Sequence, residues 1–218
     1  MRVDGAVLDE PFRGSVGLVT LDPATITGSG SGSATLDIIS EIDLEELVAE
    51  GFGLGSPVTT IETVWQDDPN DPSTASFVTT VDIEHGCLLE VSTANSAHDS
   101  DSDLYVYDPD GDLVASSTTP TDEEHVSILF PTDGTYTIAV HGWSVPSGSD
   151  TFELTINAVQ GHDVTATAPS DIPAGSTGSI NISWDTSGYT PGTYYGLVLL
   201  GISDAPGLFQ VQVEITVP

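Results

Sequence analysis

Three aspartates, Asp99, Asp101 and Asp103, stand at two-residue spacing just before the alternating run Leu104-Tyr105-Val106-Tyr107. In an extended chain, side chains two apart share a face, roughly 7 Å from each other. Three carboxylates on one edge repel unless a cation or water screens them. Calcium is therefore the first chemistry this spacing suggests. An EF-hand loop does not fit, because Leu104 stands where that loop needs glycine and Asp110 where it needs a bidentate glutamate. A site on the edge of a β-sandwich fits better. It would join Asp99, Asp101 and Asp103 to Asp67, Asp68 and Asp71 of the run QDDPNDPS (66–73), since calcium takes about six to eight oxygen ligands.

Other chemistries find little support. The chain has no lysine, which excludes a P-loop, a Schiff base and a Ser-Lys dyad. Its histidines, 85, 98, 125, 141 and 162, show no paired zinc spacing and read as surface or turn residues. Cys87 shares a face with Leu89 and Val91 and reads as a small buried hydrophobe; as the single cysteine, it allows no internal disulfide. Glu123-Glu124 has no partner at glycosidase spacing and reads as solvated surface. Asp185-Thr186-Ser187-Gly188 reads as a turn. Asn181-Ile182-Ser183 is a glycosylation sequon. Tyr105 and Tyr107 face away from Leu104 and Val106. They either form a strip for sugar or peptide or pack under a neighbouring strand.

The 218 residues carry 34 acids and two bases, Arg2 and Arg13, for a formal charge of -32. Nucleic acid is excluded as a partner, because nothing neutralises phosphates, and an anionic membrane surface would repel the chain. The acids are spread along the sequence, so they predict a hydrated folded surface suited to halophilic or calcium-rich surroundings, where salt screens self-repulsion. No apolar run is long enough for a membrane span. The N-terminal MRVDGAVLDEPFRG lacks an apolar signal core, which suggests a mature or excised piece, or a chain not exported by that route.

The elements that must position these residues are strands. Residues 16–21 and 34–40 alternate, with Gly28–Ser33 between them as a flexible turn or linker. Residues 42–50 (IDLEELVAE) offer the one stretch with any helical character, a short turn at most. QDDPNDPS is expected to be a domain boundary, because Pro69 and Pro72 forbid regular pairing. Closely spaced strands follow over 77–84, 87–93, 103–107, 112–116, 125–130, 136–142 and 151–158. Turns fall at 84–86, 108–111, 132–134 and 146–149. Beyond a second break at 161–163 come 164–168, 180–184, 193–200 and 209–217. Short alternating strands at regular spacing predict an all-β chain, an antiparallel sandwich or jelly roll.

DSDLYVYDPDGDLVASS (100–116), PTDGTYTIAVHGW (131–143) and DTFELTI (150–156) resemble the bacterial pre-peptidase C-terminal domain, in the form found behind the catalytic domain of large secreted subtilisin-like serine peptidases. The resemblance implies a fibronectin-like unit before this domain, matched by 1–63, the domain itself over 64–160, and a small β-unit over 161–218. It also implies an exported, non-catalytic accessory region, with calcium near the acidic segment. The peptidase motifs themselves are absent: no Gly-Thr-Ser-Met-Ala occurs, and His85-Gly86 and His141-Gly142 continue with Cys87 and Trp143. The expected role is calcium-dependent stabilisation, or docking of a peptidase to an extracellular substrate or surface. Two other readings stay open. One is a self-assembling filament or surface-layer subunit, whose strands pair between copies. The other is a carbohydrate- or protein-binding module.

Overall fold

The computed structural model of the protein describes residues 19–23, 25–94 and 100–218. Strands dominate it. In chain order they are β1 (Val19–Asp22), β2 (Thr25–Ser29), β3 (Gly32–Ser40), β4 (Leu47–Gly55), β5 (Val58–Trp65), β6 (Phe77–Ile83), β7 (Gly86–Ala94) and β8 (Asp101–Tyr107). There follow β9 (Leu113–Ser117), β10 (Glu124–Leu129), β11 (Gly134–Ser144), β12 (Ser149–Gln160), β13 (Val164–Thr167), β14 (Ser176–Trp184), β15 (Gly192–Ile202) and β16 (Ala205–Val217). One short 3-10 turn, Pro72–Thr74, interrupts them. The fold is all-β, as the alternation predicts. No helix among the described residues is long and apolar enough to cross a membrane.

The strands gather into two compact units. One comprises Gly53–Gly161; the other joins the described part of 1–52 to His162–Pro218. The expected division at 63/64 and 160/161 into three units therefore needs correction. β3 pairs along its whole length with β14, and β2 pairs in parallel with β16. The flanking segments thus share two sheets, ordered β1-β3-β14-β13 and β2-β16-β15-β4. Neither segment can bury its apolar face alone: Leu36 and Ile38 of one are fully buried, as are Ile180, Ile182 and Ile215 of the other.

Two local expectations also change, and a third is resolved. Residues 42–50 make no helical turn. Glu46 adopts a positive φ of 54°, and Leu47 begins a strand. Of the two readings of the glycine-rich stretch from 28, turn or linker, the structure has the turn, since β2 runs to Ser29 and β3 starts at Gly32. Its glycine has a packing reason: a Cβ on Gly28 would come within 2.3 Å of the Trp184 ring, whose Nε1–H donates to the Gly30 carbonyl at 2.6 Å. The break at 66–73 lies inside the Gly53–Gly161 unit, because β5 before it pairs with β12 from Val58 to Trp65.

That unit is a sandwich of two four-stranded antiparallel sheets, β10-β7-β12-β5 and β6-β11-β8-β9. Alternate residues of β7, β8, β11 and β12 point inward, so Leu89, Val91, Leu104, Val106, Ile138, Val140 and Leu154 meet in one core. Phe77 and Phe152 close it edge to face, with centroids 5.3 Å apart. The inward direction of Leu104 and Val106 fixes the opposite direction for their neighbours. Asp101, Asp103 and Tyr105 stand on the outer face of β8.

Candidate functional site

Antiparallel register sets Asp103 opposite His141 and Tyr105 opposite Ala139. Tyr136, Ile138 and Val140 fill the core, so His141 shares the outer face with Asp103. Two loops cover that face, one from 66 to 76 and one around 118–120. Between them lies a recess of about 410 Å³ lined by Pro69, Pro72, Asp101, Asp103, Tyr105, Thr118, Thr119, Pro120, His141 and Trp143.

The loop from 66 to 76 is held by its own aspartates. Asp67 Oδ2 accepts from the Gly142 amide at 2.9 Å, the Ser76 amide at 3.0 Å and the Ser76 hydroxyl at 3.1 Å. Gly142 is obligatory there, because a Cβ would meet the Trp65 carbonyl oxygen at 2.0 Å. Asp68 Oδ1 accepts from the Asn70 amide at 3.0 Å, an Asx turn. Asp71 caps the 3-10 turn, accepting from the Ser73 hydroxyl at 2.6 Å and amide at 3.0 Å, and these bonds hold its carboxyl below the usual range. The loop over 118–120 is held by Glu124. This carboxylate is buried and accepts from the Ser117 hydroxyl, and from the Thr119 amide and hydroxyl, both at 2.7 Å. The expectation of a solvated Glu124 is thereby corrected.

Inside the recess the polar groups are poorly matched. His141 is fully buried, contrary to the surface role its spacing suggested. Its Nε2 lies 3.0 Å from the Asp68 carbonyl, which can only accept, so Nε2 carries the proton. Its Nδ1 faces Asp103 Oδ2 at 3.7 Å, at ion-pair distance but without a hydrogen bond. Asp103 receives one bond, from the Tyr105 hydroxyl at 3.1 Å. Burial, then the Asp103 charge and this bond, push the Tyr105 hydroxyl up to about 12. Asp101 Oδ1 is buried without a hydrogen-bond partner. Burial raises the Asp101 carboxyl above its ordinary value, and the charges of Asp103, Glu124 and Asp122 raise it further.

Of the six aspartates expected at a metal, the structure brings Asp101 and Asp103 to the recess. The side chains of Asp67, Asp68 and Asp71 are taken up by the loop that roofs it. Asp99 lies outside the described residues. Among the described residues, no group of three or more His, Cys, Asp or Glu side chains is arranged to hold a metal ion. His141, Glu124 and Trp143 escaped the sequence reading. The available signal was register: once β11 pairs with β8, the out-facing position next to Val140 must face the acidic strand.

Residues 69–142 match the model of the bacterial pre-peptidase C-terminal domain. The match begins in the roofing loop and ends within β11, so the matched stretch takes in the recess-lining residues from Pro69 to His141. Over 96 residues, 43% of this chain, the sequence is 36% identical to pyrolysin of Pyrococcus furiosus, a subtilisin-like peptidase. The match spans 6% of pyrolysin's length. Among solved structures, the chain is similar to PliG, a periplasmic inhibitor of g-type lysozyme from Aeromonas hydrophila. That match has 13% identity and a TM-score of 0.28, covering 62% of this chain and 97% of PliG. It is also similar to the M60 catalytic domain with CBM51 domains of Clostridium perfringens ZmpB. There the identity is 10% and the TM-score 0.33, over 92% of this chain and 31% of that one. Neither structural likeness bears on what the chain does.

Proposed function

We propose that this chain is a non-catalytic accessory region of a secreted subtilisin-like serine peptidase, and that it docks the enzyme to protein substrate outside the cell. The observation that carries the reading is the pre-peptidase match over 69–142, joined to 36% identity with a stretch of pyrolysin. The absent serine and histidine motifs support a non-catalytic role. The test uses the pure chain. It should bind immobilised casein or gelatin saturably and release no peptides from either. Inhibitor-sensitive hydrolysis, or failure to bind any protein substrate, would overturn the reading.

Calcium stabilisation is a separate proposal. It rests on the unpartnered Asp101 Oδ1 beside Asp103, and it needs Asp99 and further oxygens to complete a shell. Melting at fixed high salt, with calcium and with chelator, tests it, because diffuse screening is then equal in both arms. Stabilisation by calcium that Asp101→Asn removes is the expected result. Equal melting points in the two arms count against it.

A further inference from the structure

We infer that the free edge of β5 pairs with the same edge of a second copy of this chain, antiparallel about a two-fold axis at Ile61, so that the sheet β10-β7-β12-β5 continues across a dimer. This surface is separate from the recess, and the inference does not rest on the docking reading.

β5 (Val58–Trp65) ends its sheet and pairs there with β12 alone. Its parity is fixed at its C-terminal end. The Gln66 amide donates to the Gly148 carbonyl at 3.0 Å, just before β12, whereas the Trp65 amide turns away and donates to the Ser76 hydroxyl at 2.9 Å. In an antiparallel ladder, alternate residues turn N–H and C=O to the same side. Thr59, Ile61 and Thr63 therefore turn theirs away from β12, where no described strand receives them. Between Val58 and Trp65 the edge has no proline, no bulge and no cation to block pairing. Its one guard is the charge of Glu62. Val58, Ile61 and Trp65 are 61%, 75% and 57% exposed, and the run Val-Thr-Thr-Ile-Glu-Thr-Val is rich in the β-branched residues that pack well across strands.

Register and charge select the occupant. Pro57 has no N–H to give and that of Trp65 is taken, so pairing is confined to 58–64. Both blocks lie four residues from Ile61, so a second β5 centred there stops at both together. Outward-turned residues then meet outward-turned residues. Ile61 opposes Ile61, and Thr59 opposes Thr63 of the second copy, each pair exchanging two backbone hydrogen bonds. Threonine pairs and β-branched pairs are favourable cross-strand neighbours. The formal charge of -32 means that two copies can meet only where acids stay apart. Here Glu62 opposes Thr60, and the two Glu62 side chains are diagonal, about 7–8 Å apart. Glu153, opposite Ile61 on β12, lies three strand spacings from its counterpart, about 14 Å. Both distances exceed the Debye length of about 3 Å at 1 M salt, but the first falls inside the roughly 10 Å at 0.1 M. Salt therefore lifts the one guard on this edge. A basic partner would find a single acid on the strand and little to attract it.

The experiment is sedimentation of the whole chain with chelator in 0.1 M and 2 M potassium chloride. A monomer at low salt and a monomer–dimer equilibrium at high salt are expected. The dissociation constant in 2 M salt should be about 10–100 µM, in keeping with an interface at the small end of specific contacts. Glu62→Gln should strengthen the dimer at 0.1 M and match wild type at 2 M. Ile61→Pro removes an amide that β12 does not use, so it should weaken the dimer by about tenfold or more while the melting curve keeps its cooperative shape. Ile61→Cys should form a disulfide-linked dimer under mild oxidation, because opposed residues of a hydrogen-bonded pair lie about 5.5 Å apart at Cα. Val78→Cys, 57% exposed on the edge strand of the other sheet, should not. The cross-link keeps the question open to refutation if Ile61→Pro misfolds. A monomer at both salts, species larger than a dimer, wild-type association by folded Ile61→Pro, or cross-linking by Val78→Cys as fast as by Ile61→Cys would each overturn the inference.

Discussion

Glu124→Ala tests the claim that a buried carboxylate, not loop composition, shapes the recess. Glu124 is 2% exposed and accepts three hydrogen bonds, two from side chains and one from the Thr119 amide. After truncation the two hydroxyls can rotate toward water or other acceptors. The amide has no such freedom. Hydrogen bonds to a charged group are worth about 1.5–3 kcal/mol each, and they do not add when they share one acceptor. Relief of repulsion with Asp101 offsets part of the loss. The net cost should be about 2–4 kcal/mol. For a unit of roughly a hundred residues that is about 8–15 °C in melting temperature. Thermal unfolding by circular dichroism reads the loss, and amide exchange at Thr119 reads its place. Glu124→Gln keeps one acceptor oxygen and should fall between Glu124→Ala and wild type. Glu123→Ala, at the exposed neighbour, should stay within about 0.5 kcal/mol of wild type. If Glu124→Ala melts with Glu123→Ala, the carboxylate does not hold the loop.

Two further outcomes follow from the titratable groups. The Asp101 carboxyl is raised in the folded state by burial and by neighbouring negative charge, so its contribution to stability is present at low pH and lost as pH rises through the raised value. Without any cation, Asp101→Asn should therefore raise the melting temperature at neutral pH, with the gain shrinking toward about pH 3, where wild type is protonated; a variant that melts lower at neutral pH contradicts this. Burial pushes the Cys87 thiol up to about 12, so Ellman's reagent at mildly alkaline pH should label it only as fast as the sandwich opens; rapid stoichiometric labelling of native protein would refute its burial.

What the sequence determined by itself was local. Two-residue alternation is a property of adjacent side chains, so the strands from Phe77 to Val217 and the inward faces of Leu104, Val106, Ile138 and Val140 were legible without a partner. So was the outward direction of Asp101 and Asp103, which follows from the same period. The resemblance of 100–116 and 131–143 to the pre-peptidase domain rested on equally local runs.

Pairing was decided only by the tertiary structure. No local signal tells β3 to lie against β14, some 140 residues later, so the two flanks looked like separate units and proved to be one. The helical hint in 42–50 lost to burial of Leu44 and Leu47. The glycines from 28 onward could be a turn or a linker in the sequence; the tight turn is set by the ring of Trp184 packed against Gly28. The recess shows the same division. Asp67, Asp68, Asp71, Asp101 and Asp103 are alike in sequence, yet three are taken up by nearby amides, Asp103 faces His141 across a strand pair, and Asp101 Oδ1 is buried without a hydrogen-bond partner. Which partner a carboxylate meets depends on which strand lies opposite. That is long-range information, carried by the packing of two sheets and not by any single run of residues.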